Sequence, residues 1–229
     1  MLDFFGTIVA AALMVFVVTA LLVFIDVPRN AKLVVAALLG LWIGVAAAAG
    51  TAGWLAISRP FPVMGIFVGA PLLAAAIAAS WPAARQAMLS LPMPLMVGLN
   101  IGRVFAFLFL MLLAEGRLSG PFPYSAAWGD IITGVAALPL LWLARTPDRQ
   151  TAVFHLWNAF GMLDLVLAIG FGVTSAANSP LQIFGAPGSE AMQYPPWSFV
   201  PTVLVPLWMI LHAIIWVRLR RYRYSAVPA

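Results

Sequence analysis

The sequence predicts an all-α membrane protein: a seven-transmembrane-helix bundle with its N-terminus outside and its C-terminus in the cytoplasm. Three observations carry that prediction. The 229 residues are 64% hydrophobic and only 8% charged, with a mean hydropathy of +1.03, whereas a soluble domain has about 25% charged residues and about 45–50% apolar ones. Apolar stretches recur at the length of roughly 20 residues that a helix needs to cross a bilayer core of about 30 Å. The basic residues, finally, sort to one side of those stretches. A water-soluble globular fold has too little surface to hide this much apolar area. Disorder is excluded by the same composition, because it requires low hydrophobicity and high charge.

Seven stretches qualify, at 4–25, 31–50, 61–80, 94–114, 125–144, 152–175 and 198–217, and together they make residues 1–229 a single polytopic transmembrane domain. The first is expected to stay in place as a helix. It is flanked by Asp3 rather than a basic residue, and it exceeds the 7–15 apolar residues of a signal-peptide core. The breaks carry turn chemistry: Asp26-Val27-Pro28-Arg29-Asn30, Ser58-Arg59-Pro60, Gly116 to Pro123, and Arg145-Thr146-Pro147-Asp148-Arg149. Pro82, Pro92 and Pro94 interrupt the apolar run after the third stretch. Pro94 suits the first turn of the fourth helix, which leaves Trp81 to Leu91, with Arg85 and Gln86, as an interfacial turn.

Orientation follows from the Lys and Arg count on each side. The loops after odd-numbered spans and the C-terminal end hold Arg29, Lys32, Arg85, Arg145, Arg149, Arg218, Arg220, Arg221 and Arg223, against Arg59 and Arg117 on the other side. That bias predicts a multi-pass protein of a bacterial-type inner membrane. The C-terminal arginines then act as a stop signal and headgroup anchor. The same distribution explains the pI of 10.5 without nucleic acid, which is not expected as a partner; membrane lipids are. Small residues at Gly40/Gly44, Gly65/Gly69 and Gly98/Gly102 predict close helix packing inside the bundle, with homo-oligomerisation as the alternative use of such faces.

An ionisable residue inside an apolar span is a functional candidate by default. Arg103 and Asp164 both fall near mid-span and are natural partners, because a charge there costs several kcal/mol unless paired. Asn100 lies one turn from Arg103. Asp130 follows Trp128-Gly129 near the outer end of the fifth span, where helix capping or a pair with Arg117 accounts for it, and a polar vestibule is the sharper reading. Arg103, Asp164, Asn100 and Asp130 thus form the candidate substrate-binding set.

His155 and His212 each sit six residues from a boundary arginine, Arg149 and Arg218, so the two imidazoles should lie at similar depth. Such a pair is a candidate for heme or metal ligation, with Asn158 beside it in a supporting role. His155 and Asp164, nine residues apart, point to opposite sides of a straight helix. Two separate polar sites are therefore expected unless Gly161 and Gly170 bend the helix. The outer loop from Asn178 to Trp197 is the longest connection, read as an interfacial aromatic segment or as a lid over an outward cavity.

Several chemistries are excluded. The chain has no cysteine, so disulfides, thiolate metal sites and cysteine nucleophiles drop out. Its two histidines cannot serve a four-histidine diheme centre. A retinal Schiff base needs a lysine in the last span, and the only lysine is Lys32. Walker A, dinucleotide, His-Glu-x-x-His and Gly-x-Ser-x-Gly motifs are absent. The prolines Pro62 and Pro71, against Pro201 and Pro206, give only a faint internal repeat. The expectation is a small-solute or ion carrier or binder built on Arg103 and Asp164. A heme- or metal-binding subunit using His155 and His212 is the alternative. A membrane enzyme acting on a lipid-linked substrate, through Asp130, Glu115 and His155, is the third reading and the weakest.

Overall fold

A computed structural model describes residues 1–56, 63–145 and 151–225. The predicted break Ser58-Arg59-Pro60, Pro62 of the repeat, and Thr146 to Arg149 lie outside the described residues. So do the side chains of Tyr222 and Arg223 in the C-terminal basic run.

The described residues are helical and include no strand. The α-helices are α1 (Leu2–Phe24), α2 (Arg29–Thr51), α3 (Val63–Ala78), α4 (Pro82–Ser90), α5 (Met93–Leu99), α6 (Phe107–Ala114), α7 (Pro121–Leu143), α8 (Thr151–Ser175) and α9 (Val205–Ser225). Six runs are long and apolar enough to cross a membrane: α1, α2, Met93–Ala114, α7, Ala152–Ser175 and Val200–Arg221. A seventh arises if α3 and α4, bent by 110° against each other, count as one. The segment Trp81 to Leu91 is therefore a helix and not a turn. Pro82 opens it at the position where a missing N–H matters least, with Arg85 and Gln86 exposed and Ala87 buried.

Two long elements are not regular. Between α5 and α6 the chain tightens into a 3-10 helix over Asn100–Ala106. Before α9, Val200–Leu204 forms a π-helical turn in which the Val205 N–H reaches back to the Val200 carbonyl. α6 ends in a Schellman motif: Gly116 takes φ +67, its N–H meets the Leu113 carbonyl at 2.9 Å, and the Arg117 N–H meets Leu112 at 2.9 Å. α7 starts at Pro121, four residues before the predicted start at 125, because proline is preorganised for a first helical position.

Contacts at the two ends of the bundle fix which termini lie together. At one end Arg117 and Trp197 both donate to Asp3 Oδ1, at 2.8 and 2.7 Å, and Gly50 near the end of α2 abuts Pro195 and Ser198. At the other end the Asp26 N–H meets Ser90 Oγ at 3.0 Å, and Arg218 donates to the Leu91 carbonyl.

The core comprises two apolar clusters. One includes Met96, Leu140, Phe154, Leu211 and Ile215; the other includes Leu112, Leu118, Phe122 and Trp197. Along both α5–α6 and α7 the polar residues fall between these clusters. The outside of the bundle is apolar as well, with Phe4, Trp142 and Leu156 at 73%, 72% and 75% exposure.

The predicted glycine faces behave differently from expectation. Among the described residues nothing lies within 4 Å of a Cβ placed on Gly40, Gly44 or Gly69, so these glycines pack closely against none of them. Gly102 does pack closely, against Leu13 of α1, and Gly98 makes ordinary contact with Leu141.

Candidate functional site

Arg103 is 1% exposed and sits at the centre of a polar cluster drawn from four elements. In a 3-10 helix residues i and i+3 eclipse, so Asn100, Arg103 and Ala106 share one buried face. The guanidinium uses all three of its nitrogens. Nε donates to Asp130 Oδ1 at 2.5 Å, and Nη2 to Asp164 Oδ2 at 2.6 Å. Nη1 lies 2.9 Å from His212 Nε2 and 3.4 Å from Asn100 Oδ1. Both Nη atoms are 3.3 Å from the Gly161 carbonyl. The Trp208 ring stacks 5.8 Å from the guanidinium carbon.

An arginine has no acceptor, so His212 Nε2 must accept and its proton sits on Nδ1, which donates to Asn158 Oδ1 at 2.8 Å. Asn158 Nδ2 returns a bond to the His212 carbonyl at 3.1 Å. The Asn100 amide is held by the Met96 carbonyl at 2.9 Å. Trp157, 5.4 Å from the His212 ring, donates to the Thr133 carbonyl at 3.0 Å. The orientations of His212, Asn158 and Asn100 are thereby each set by a second partner, as a buried network requires.

Three glycines make room for this cluster. A Cβ on Gly129 would overlap the Asp164 carboxylate. One on Gly161 would come within 2.6 Å of the His212 ring, and one on Gly134 within 2.9 Å of the Val104 backbone. Gly161 therefore serves close approach rather than bending: α8 runs unbroken over Thr151–Ser175.

Of the predicted residues, Arg103, Asp164, Asn100, Asp130, His212 and Asn158 come together, and His155 does not. His155 packs edge-on against Trp216 at 5.2 Å. In this arrangement His212 has no lone pair free for a metal, so the two histidines do not fit a shared heme or metal. Among the described residues no group of three or more His, Asp and Glu side chains is placed to hold a metal ion. The separation of His155 from Asp164 holds, but His212 belongs to the Arg103 site.

Asp130 is also placed differently from expectation. Its partner is Arg103, while Arg117 pairs with Asp3 at 2.8 Å and lies 3.6 Å from Glu115. The early start of α7 places Asp130 nine residues beyond Pro121, or about 14 Å along the helix, too deep to cap it. Trp208 and the Gly161 carbonyl were missed, since neither a tryptophan nor a backbone oxygen stands out in an apolar sequence.

Beside the cluster lies a cavity of about 490 Å³ between α3 and α8. Asp130 lines it together with Phe109 and Phe122, and Ser189, Met192 and Gln193 of the long loop line it too. That loop is tied down. Ser189 Oγ donates to the Gly172 carbonyl at 2.6 Å, the Ala177 N–H donates to Glu190 at 2.8 Å, and the Ser119 N–H donates to Gly188 at 3.1 Å. Trp197 is buried at 3% exposure rather than interfacial, while Tyr194 is 49% exposed.

Fold and site together define an all-helical protein with a buried arginine–dicarboxylate cluster beside a largely apolar cavity. The chain belongs to the family described as a domain of unknown function (DUF8737), whose model matches residues 60–220. That span contains every residue of the cluster and leaves α1 and α2 outside. Neither the curated proteins nor the solved structures give a match.

Proposed function

We propose that this chain is a seven-span inner-membrane protein, N-terminus outside and C-terminus in the cytoplasm, that binds or carries a small solute in the cavity beside Arg103. The six apolar helices and the exposed apolar surface support the membrane reading. The end-to-end contacts support seven crossings: the end of α2 lies with Pro195 and Ser198, while the end of α4 lies with Asp26 and Arg218. On this reading α3 and α4 together lead from one end to the other. Basic residues of the proposed cytoplasmic side lie over tryptophans, Arg145 over Trp142 at 5.2 Å and Arg220 over Trp216 at 5.3 Å, as interfacial anchors do.

The observation that carries the binding reading is that Asp130 belongs to both features. It is bonded to Arg103 and lines the cavity, so a ligand there meets the one polar network that lipid would exclude. A mainly apolar pocket with a few fixed polar groups is the usual form of a small-molecule site. Ala168 also lines the cavity, and Ala168→Trp should fill it while leaving the cluster intact. Mass spectrometry of protein purified in mild detergent should find a small molecule with the wild type and lose it with Ala168→Trp. Identical small-molecule content in both would sink the reading.

A further inference from the structure

We infer that the ligand of this cavity is a monovalent organic cation with an apolar body, its charged group seated against Asp130. This deepens the reading above and rests on it. One guanidinium faces two carboxylates in the cluster, which when ionised carries one unit of net negative charge. Arg103 cannot serve a ligand anion: all three of its nitrogens are already bonded to Asp130, Asp164, His212, Asn100 and Gly161. Asp130 differs. Arg103 occupies its Oδ1, and among the described residues no donor meets Oδ2.

The cavity wall agrees in sign. Among the described residues Asp130 is the only charged side chain lining it, so an anion would be desolvated with no counter-charge. Phe109 and Phe122 line the same cavity, ring centroids 6.2 Å apart. Aromatic faces attract cations, so carboxylate and rings favour the same ligand charge. The remaining wall, from Val68 of α3 to Leu165 of α8, suits a hydrocarbon or aryl body.

The test uses three probes of matched body: 4-phenylbutylammonium, 4-phenylbutanol and 4-phenylbutyrate. Their binding to the full chain in phosphatidylcholine nanodiscs is measured by calorimetry. The ammonium should bind tighter than the alcohol by about tenfold, as expected for a hydrogen bond to a charged group, and the butyrate should bind weakest. Asp130→Asn, which keeps an oxygen for Arg103 Nε, should remove the preference for charge. Ala168→Trp should abolish binding of all three. Wild-type protein that binds the alcohol or the butyrate as tightly as the ammonium, with Ala168→Trp still blocking, overturns the cation assignment and leaves the cavity reading standing. Wild-type protein that binds none of the probes overturns the cation assignment; the cavity reading then stands or falls on the mass-spectrometric comparison. The wild-type series decides the question even where Asp130→Asn is poorly folded.

Discussion

The cluster depends as much on residues with no side chain as on those with charge. Gly129 in α7 lies directly against the Asp164 carboxylate, whereas a Cβ on Gly44 in α2 would meet nothing within 4 Å among the described residues. Glycine to alanine inside a helix ordinarily stabilises by roughly 0.5–1 kcal/mol. Gly44→Ala should follow that rule and raise the melting midpoint in detergent. Gly129→Ala should go the other way, losing about 1–3 kcal/mol through overpacking, and that loss should shrink when Asp164→Ala is already present. Equal effects at the two glycines would contradict the packing described. The contrast also shows what the sequence conveys at this scale. Arg103 and Asp164 were legible because charge inside an apolar span is costly. Asp130 was assigned the wrong partner because its depth depends on where α7 begins. His212 was grouped with His155 by depth alone, whereas its neighbours are fixed by rotation about α9. Which glycines are close-approach sites is a long-range property, and identical Gly-x-x-x-Gly spacing served both packed and open faces.

At the scale of the element, the irregular start of the last span has a chemical cause. Pro206 has no N–H, so the Thr202 carbonyl one turn earlier loses its ordinary helical donor. The indole N–H of Trp42 in α2 takes that place at 2.9 Å. Thr202 is wholly buried, and a buried carbonyl left without a donor costs about 1–3 kcal/mol. Trp42→Phe should therefore destabilise the protein by about that amount beyond its packing loss. In a Pro206→Ala background the restored N–H competes for the same carbonyl, so the penalty of Trp42→Phe should fall. A double-mutant cycle read by thermal unfolding measures the difference, and strict additivity would refute the account. The apolar periods and proline positions gave the helices nearly as they stand. They did not give the 3-10 segment at Asn100 or the π turn at Val200, because both answer to partners on other helices: α7 beside the first, Trp42 beside the second.

For the molecule as a whole, α3 decides the number of crossings. Its 16 residues span about 24 Å, short for a bilayer core of about 30 Å, and α4 turns away from it by 110°. If α3 crosses, α4 lies on the cytoplasmic face and exposes Arg85 and Gln86 where the basic bias places them. If α3 is re-entrant, α4 lies on the same face as the end of α2. The chain contains no cysteine, so a single introduced thiol reports its own side without background. Ala52 and Gln86, on either side of α3, are both exposed and neither belongs to the cluster. In intact cells a membrane-impermeant maleimide should label Ala52→Cys at once, and Gln86→Cys only after permeabilisation. Labelling of both in intact cells would reduce the count to six crossings. The reverse pattern would invert the protein and turn the loop that lines the cavity, at Ser189 and Gln193, toward the cytoplasm, so that a solute would be captured from inside. The direction from which the cavity is filled thus rests on the same two thiols as the topology.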